Sequence, residues 1–514
     1  MKTTTLILLC FATLSMNAQS IFQKTYATLL DDQIFNLKQT YDGGYIASGY
    51  MGAGGASQPL TFLVKTNSFG DIQWSKTYDD TIGIENLIQT SDSGFIFTGW
   101  YSFSVPYLVK IDVNGNVQWA YKSSFGSGGS MYSILQVPDG GFLVTGFESY
   151  FFPTYPAFVT KLNSAGIIQW TKSYYSGLSS VMYFYDIKST INGGFIITGK
   201  REVSGGFAKT CIVKIDSLGS VQWAKTLQPE TLYDGGVNIY SLNNGSFIIG
   251  SNTKANSIGK IYIVNIDSTG SVLWSKLYGT NNEWAQANNF IQTMDGGYAI
   301  SSSIDDSATS TTLPMLIKTD GNGNLQWNRI FNNIGEYGIA DCIQANDSGY
   351  AFTGGYYNSV SGNYDAYFLK TDLSGNSGCF DSSKVIQTLN GSLYDSVLTI
   401  TDTSAMLHSS LNVIVGNATF LPGVLCTPVS VNEIENISNE IFVFPNPLND
   451  KLNIKVENTE LSEIILLDIT ARKILSKSFS NSISINTEQL EKGVYLYEVR
   501  NKNGVIKKGK VVKE

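Results

Sequence analysis

The chain has 514 residues, 43% of them hydrophobic and only 15% charged, which supplies apolar material for more than one buried core and rules out a disordered polymer. A net charge of −8 and a pI near 5.0 exclude a phosphate-backbone partner, which needs clustered Lys and Arg, so no nucleic acid is expected. Fifty Gly, 29 Tyr and 27 Phe without runs of strong helix formers favour short strands and tight turns, so the chain is expected to be almost all-β.

The first element, "MKTTTLILLCFATLSMNAQS", sets Lys2 before an apolar stretch from Leu6 to Leu14 and a small residue at Ala18. That is the layout of a secretory signal peptide over residues 1–18. Leu9 precedes Cys10 where lipoprotein processing wants a small residue. No later stretch has the ~20 uninterrupted apolar residues that cross a bilayer, so an exported chain without a membrane span is expected.

A repeat follows. "KTNSFGDIQW" ends at Trp74, "KIDVNGNVQW" at Trp119, "KLNSAGIIQW" at Trp170, "KIDSLGSVQW" at Trp223, "NIDSTGSVLW" at Trp274 and "KTDGNGNLQW" at Trp327, with steps of 45 to 53 residues. In a seventh copy, "KTDLSGNSGC", Cys379 falls at the Trp position. A second marker keeps step: "DGGYIASG" from Asp42, "DSGFIFTG" from Asp92, "DGGFLVTG" from Asp139, "NGGFIITG" from Asn192, "NGSFIIG" from Asn244, "DGGYAISS" from Asp295 and "DSGYAFTG" from Asp347. Apolar and polar residues alternate between the markers, so each unit reads as four strands, two around the DGG turn and two around the DxxG turn.

The ends of the repeat choose a closed ring over an open solenoid. "SIFQKTYATLLDDQIFN" matches "IQWSKTYDDTIGIEN" with Phe22 in the Trp place, and the seventh unit lacks its own Trp strand. The first strand is therefore expected to complete the last blade of a seven-bladed β-propeller over residues 19–379, leaving no open sheet edge at the seam. The tryptophans are expected to pack blade on blade, and Trp223→Ala to cost ~3 to 5 kcal/mol. The turn "LVKIDSTGSVLW" resembles the tryptophan-docking repeat of quinoprotein dehydrogenases and, more loosely, the Asp-box hairpin of sialidases. The likeness implies a packing role and supplies no basis for a quinone or its calcium.

The DGG and DxxG turns belong to one face, and variable loops such as "ESYFFPTYP" and "YYNSVSGNYDA" to the other, where binding is expected. Candidate ligand contacts there are Trp100, Tyr101, Tyr150, Phe151, Tyr155, Trp284, Tyr356 and Tyr357. Asn36, Asn86, Ser133, Asp186, Asn238, Asn289 and Asp341 recur once per unit and are expected to cap backbone near the central channel. The lone His408 excludes His-based triads and multi-His metal sites. Loop acids such as Asp79, Asp80, Glu85, Glu283 and Glu336 read as solvated, because no spacing selects a catalytic pair. Asp112, Asn114 and Asn116 around Gly115 mimic a calcium loop, but the copies keep little beyond the turn Gly and the Trp, so Asp112 is expected to hold its own turn's amides. No cofactor and no metal is expected.

Residues 380–436 read as an irregular β linker region. Cys211 and Cys342 sit in apolar strand patterns, leaving Cys379 and Cys426 as the favoured disulfide pair. From 437 to 514, strands with turns at Asn449-Asp450 and Lys502-Asn503 suggest a small antiparallel β-sandwich. Its "FPNP" start, "GVYLYEV" strand and Lys-rich last strand resemble the type A C-terminal sorting domain of the Bacteroidetes type IX secretion system. The resemblance implies a partner in that secretion machinery, delivery to the cell surface or medium, and a sorting signal made by Pro445, Asn446, Pro447, Gly493, Tyr495, Gly509, Lys510 and Lys513. The expected function is an exported binding or scaffold protein for an extracellular glycan or protein, more a binder than an enzyme; the alternative is an extracellular glycan-acting hydrolase or lyase.

Overall fold

The computed structural model describes residues 20–513 apart from loop segments 29–30, 53–59, 79–81, 102–104, 124–127, 150–154, 178–179, 204–207, 230–234, 256–257, 281, 307–310, 332–338 and 359–360, and, beyond 378, segments 379–380, 384–385, 391–392, 398–400, 405–407, 411–414, 418–420, 427–440, 445–449, 457–460, 469–471 and 503. Two compact units divide the chain, Met1–Pro428 and Val429–Glu514.

In the first unit the alternation of apolar and polar residues builds the same antiparallel meander seven times. Blade 1 runs through Asp32–Gln39, Tyr45–Met51, Leu60–Thr66 and Ile72–Tyr78, from the innermost strand outward. Its DGG hairpin closes with Thr40 N donating to Gly44 O at 2.9 Å and Gly43 N to Thr40 O at 2.8 Å. The two glycines serve different ends. Gly43 takes φ +80°, a conformation that Ser93 and Ser348 also adopt in their copies; a methyl on Gly44 would stand 2.1 Å from the Thr66 carbonyl oxygen. The second position is therefore glycine in every copy except blade 5, where Ser246 takes it.

The ring closes as the sequence implies. Ile339–Gln344, Tyr350–Asn358 and Asn363–Lys370 form three strands of blade 7, and Phe22–Ala27 from the start of the chain pairs with the third, from Phe22 opposite Lys370 to Tyr26 opposite Ala366. Between blades 7 and 1, Phe22, Tyr26, Phe62 and Phe368 share one buried cluster, so the seam is packed like the blade interfaces elsewhere.

The stretch after the repeats adds a fifth strand to every blade. Asp381–Ser382, Gln387–Asn390, Leu393–Val397, Thr401–Ser404, His408–Ser410, Val415–Asn417 and Leu421–Cys426 pair antiparallel with the outermost repeat strands of blades 6, 5, 4, 3, 2, 1 and 7 in that order. One segment thus circles the ring against the direction of the blades and ends on Phe22–Ala27, the strand that closes it. The proposed Cys379–Cys426 pairing lies outside the described residues; Cys211 and Cys342 are buried free thiols, and burial pushes each up to about 12.

The second unit holds a three-stranded sheet, Ile441–Phe444, Lys451–Val456 and Ser482–Asn486, and a four-stranded one, Lys473–Ser480, Leu461–Leu467, Gly493–Asn501 and Gly504–Lys513. Leu452 and Ile454 from the first sheet and Ile464, Tyr495, Tyr497 and Val499 from the second share its core, so this unit is a β-sandwich.

Candidate functional site

The face of DGG and DxxG turns is committed to holding the ring together. Each DxxG glycine lies under the aromatic ring of the preceding blade: a methyl on Gly270 would come within 2.9 Å of Trp223, one on Gly219 within 2.9 Å of Trp170, and one on Gly70 within 2.9 Å of Phe22. The tryptophans are half-buried there. Four residues on, Tyr26, Tyr78 and Tyr174 are fully buried and donate to the carbonyls of Gly70, Gly115 and Gly219 at 2.6 to 2.8 Å. The lysine that opens most Trp markers reaches back to the DGG aspartate. Lys65, Lys110, Lys161, Lys318 and Lys370 meet Asp42, Asp92, Asp139, Asp295 and Asp347, each at 2.8 Å. Where Asn244 replaces the aspartate, Asn265 replaces the lysine.

Asp112 accepts at Oδ1 from the amides of Asn114 and Asn116, at 2.9 and 2.8 Å, and at Oδ2 from Asn116 Nδ2 at 2.9 Å. Burial opposes ionisation, but these bonds win and hold its carboxyl below the usual range. Both oxygens serve the turn itself.

The opposite end of the central channel differs from blade to blade. Every innermost strand carries a β-bulge at one place, between Ile34 and Asn36, Ile84 and Asn86, Met131 and Ser133, Phe184 and Asp186, Gly236 and Asn238, Ala287 and Asn289, and Ile339 and Asp341. The small polar residue after the bulge ties neighbouring blades together. Asn36 Nδ2 donates to Ile84 O at 3.2 Å, and Ser133 Oγ to Asp186 Oδ1 at 3.0 Å. The other Asp186 oxygen accepts from Ile239 N at 3.0 Å, while Asp341 accepts from Leu37 N at 2.8 Å across the seam.

The extra residue of each bulge is the one freed from the strand pairing: Phe35, Glu85, Tyr132, Tyr185, Val237, Asn288 and Ala340 in blade order. Four consecutive blades thus present three rings and a carboxyl. The residue after the small-Gly pair of the next strand forms a second tier: Tyr50, Trp100, Phe147 and Lys200. The tiers touch. Phe35 and Tyr50 lie 5.1 Å apart, Tyr50 and Trp100 6.5 Å, Tyr132 and Phe147 5.7 Å in a near-parallel stack, and Tyr132 and Tyr185 5.1 Å edge to face. Phe147 meets Tyr183 at 4.5 Å, with Lys200 5.8 Å from the Tyr183 ring centre. All are partly exposed, so the mouth has an aromatic wall over blades 1 to 4.

Glu85 stands in this wall and is no solvated loop acid: it is a bulge residue in the strand Ile82–Gln89. Burial raises its carboxyl above the ordinary value, and a hydrogen bond from the Trp100 side chain partly opposes the shift. Trp100 lies flat on Gly83, where a methyl would come within 2.2 Å of the indole. Burial first, then the charge of Glu85, raises the Tyr50 and Tyr132 hydroxyls.

Of the aromatic ligand contacts expected from sequence, Trp100 is the one that joins this mouth among the described residues. Trp284 packs on Gly259, where a methyl would meet its ring at 2.5 Å, and Tyr357 is exposed beside Tyr364 at 5.1 Å. Tyr155 bridges to Val181 of the next blade's inner strand, its amide donating to Ser180 O at 3.1 Å. The side chains of Tyr101 and Tyr356 and the whole of Tyr150 and Phe151 lie outside the described residues, as do Asp79, Asp80 and Glu336. Phe35, Tyr50, Tyr132, Phe147 and Tyr185 were not singled out. Their signal is a break in strand phase, since Ile34 and Leu37 both bury although strict alternation would turn one outward.

In the second unit Gly493, Tyr495 and Leu496 stand opposite Lys513, Val511 and Lys510, which brings most of the expected sorting residues onto two adjacent strands. Gly509 faces Tyr497, whose hydroxyl oxygen would sit 2.5 Å from an added methyl, and Tyr495 donates to Glu491 O at 2.9 Å. Pro445, Asn446 and Pro447 lie outside the described residues.

No curated protein matches the sequence. The extracellular domain of the putative hybrid two component system BT4673 from B. thetaiotaomicron is 9% identical, over 96% of this chain and 99% of its own, with a TM-score of 0.22. Sqt1 from Chaetomium thermophilum is 8% identical over 69% and 99%, with a TM-score of 0.37. MPT-4, a mannose phosphorylase from Leishmania mexicana, is 6% identical over 70% and 91%, with a TM-score of 0.27. Likenesses this loose carry no argument; the propeller stands on its own strand pairing. Residues 442–514 match the family described as "Secretion system C-terminal sorting domain". The C-terminal sandwich is a type IX secretion sorting domain, and it addresses the chain to the cell surface or the extracellular space.

Proposed function

We propose that the exported propeller is a binding protein that engages an extracellular glycan or protein at the mouth of its channel. The observation that carries this reading is the aromatic wall over blades 1 to 4, a set of partly exposed rings spaced to stack on a ligand. A scaffold with no ligand has no need of exposed rings at the bulge position, where blade 7 manages with Ala340. The turn face is consumed by packing and ion pairs, which leaves the mouth and its loops as the variable surface.

A glycan-acting hydrolase or lyase requires two carboxyls, or a carboxyl and a tyrosine, positioned together on the sugar. Glu85 beside Tyr50 and Tyr132 is what keeps this second reading in view, although its described hydrogen bond is to Trp100. A glycan and peptide array probed with the mature protein and with Trp100→Ala and Tyr132→Ala variants tests both. Retention lost in the variants supports binding at the mouth. Turnover of an arrayed glycan that Glu85→Gln abolishes would replace the binding reading with the enzymatic one, and binding unaffected by either ring substitution would remove the mouth from both.

A further inference from the structure

Three lysines described on the blades around the channel mouth each have a carboxylate of their own. Lys38 meets Asp341 at 3.2 Å, Lys188 meets Asp186 at 2.6 Å, and Lys200 meets Glu202. Glu85 differs. Among the described residues it makes no ion pair, and its hydrogen-bond partner is the Trp100 side chain, which carries no charge. Tyr107, fully buried with its hydroxyl unpaired, and Tyr50 both feel its charge. The surroundings are rings: Trp100 at the carboxyl, Tyr50 against Trp100, and Phe35 against Tyr50 with more than a third of its surface open.

An anionic group taken partly out of water and left without a counter-charge costs free energy, and a cation supplied by a ligand removes that cost. Ring faces attract the same ligand, because the aromatic quadrupole is negative above and below the plane and favours a poorly hydrated cation. An inorganic cation would want several oxygens around it. This corner offers one carboxyl and three rings, a donor set suited to a positive charge spread over carbon.

We infer that Phe35, Tyr50, Trp100 and Glu85 form a receptor for an organic ammonium group carried by the ligand of the mouth. The inference rests on the proposed binding role and narrows it: the ligand presents an amine or quaternary ammonium to blades 1 and 2, while the wall of Tyr132, Phe147 and Tyr185 takes its uncharged part.

Choline chloride, titrated into the mature protein by calorimetry at constant ionic strength, probes the group alone, with dimethylbutanol as its uncharged isostere. Choline is expected to bind saturably and the isostere about tenfold more weakly or less. Glu85→Gln should weaken choline about tenfold and bring the two ligands level, while Trp100→Leu weakens both; an unchanged unfolding midpoint shows that each variant is folded. Equal binding of the two ligands, untouched by Glu85→Gln, overturns the ammonium receptor and leaves the mouth a binding surface. Absence of choline binding overturns it too, and array ligands still lost with Trp100→Ala would then preserve the wider reading. If the array is also blank, both fall.

Discussion

Glu148, at the end of the strand Phe142–Glu148, is 2% exposed, and neither of its carboxyl oxygens has a hydrogen-bond partner. Burial alone pushes its carboxyl from 4.5 up to about 7. Between those values the folded protein holds a proton that the unfolded chain releases, so stability falls as pH rises from about 4.5 to about 7 and is level above that. At about 1.4 kcal/mol per unit the ionised side chain costs about 3 kcal/mol at pH 8. Glu148→Gln keeps the shape without the charge, so it should raise stability at pH 8 by up to ~3 kcal/mol and change it little at pH 4.5. All eight tryptophans lie in the first unit, so indole fluorescence during urea unfolding reports the propeller without the sorting domain. Equal unfolding midpoints for the variant and the parent at pH 8 would refute the reasoning, because a solvated or ion-paired glutamate gains nothing from neutralisation.

Trp223→Ala should cost about 2 to 3 kcal/mol, below the ~3 to 5 expected of a fully buried ring, since the indole is half-exposed over Gly270; the same urea titration reads it. Gly43→Ala should cost about 1 kcal/mol for its φ of +80°, whereas Gly44→Ala should cost about 3 kcal/mol because the methyl would meet the Thr66 carbonyl; equal costs would refute the division of labour. The Asp42, Asp92, Asp139 and Asp295 carboxyls are held below the ordinary range by their lysines and turn donors against the effect of burial, so they contribute stability above pH 4 that is lost on acidification; Asp139→Asn should flatten that acid limb. Deleting residues 441–514 should trap the protein in the periplasm, as fractionation would show, and unchanged surface delivery would reject the assigned role of that unit.

The ring was legible because its markers report backbone needs that admit few residues. A methyl on the second glycine of DGG would stand 2.1 to 2.4 Å from a carbonyl oxygen, and the DxxG glycine lies beneath an aromatic ring, so the first recurs in six of the seven copies and the second in all of them even as the residues between them drift. The match of Phe22 to the Trp position revealed the closure for the same reason. The mouth was hidden by the bulge. "IFNL", "IENL", "MYSI" and "FYDI" each bury their first and fourth residues, a spacing that belongs to neither strand nor helix alone, and the residue that escapes burial is the one that varies. The fifth strands were hard to read for another reason: they are only two to six residues long, begin six to eight residues apart, and are paired through backbone groups that almost any side chain permits.

Those fifth strands bear on where a partner can attach. A four-stranded blade would leave its outermost strand with a row of unpaired amides and carbonyls, open to any extended segment. Here the chain's own segment 381–426 occupies all seven edges, in register with Lys172 opposite Ser404 in blade 3 and Leu227 opposite Asp395 in blade 4. Strand addition at the rim would first have to displace it. The turn face is occupied by its lysine–aspartate pairs and docked indoles, so two of the three surfaces a propeller offers are spent on its own cohesion. What remains is the mouth, where the scaffold ties blades together through Asn36, Ser133 and Asp186 one residue away from the rings. Rigid support and variable side chains alternate there within a single bulge. A recognition surface needs that arrangement, because rings held by fixed backbone lose little freedom when a ligand stacks on them.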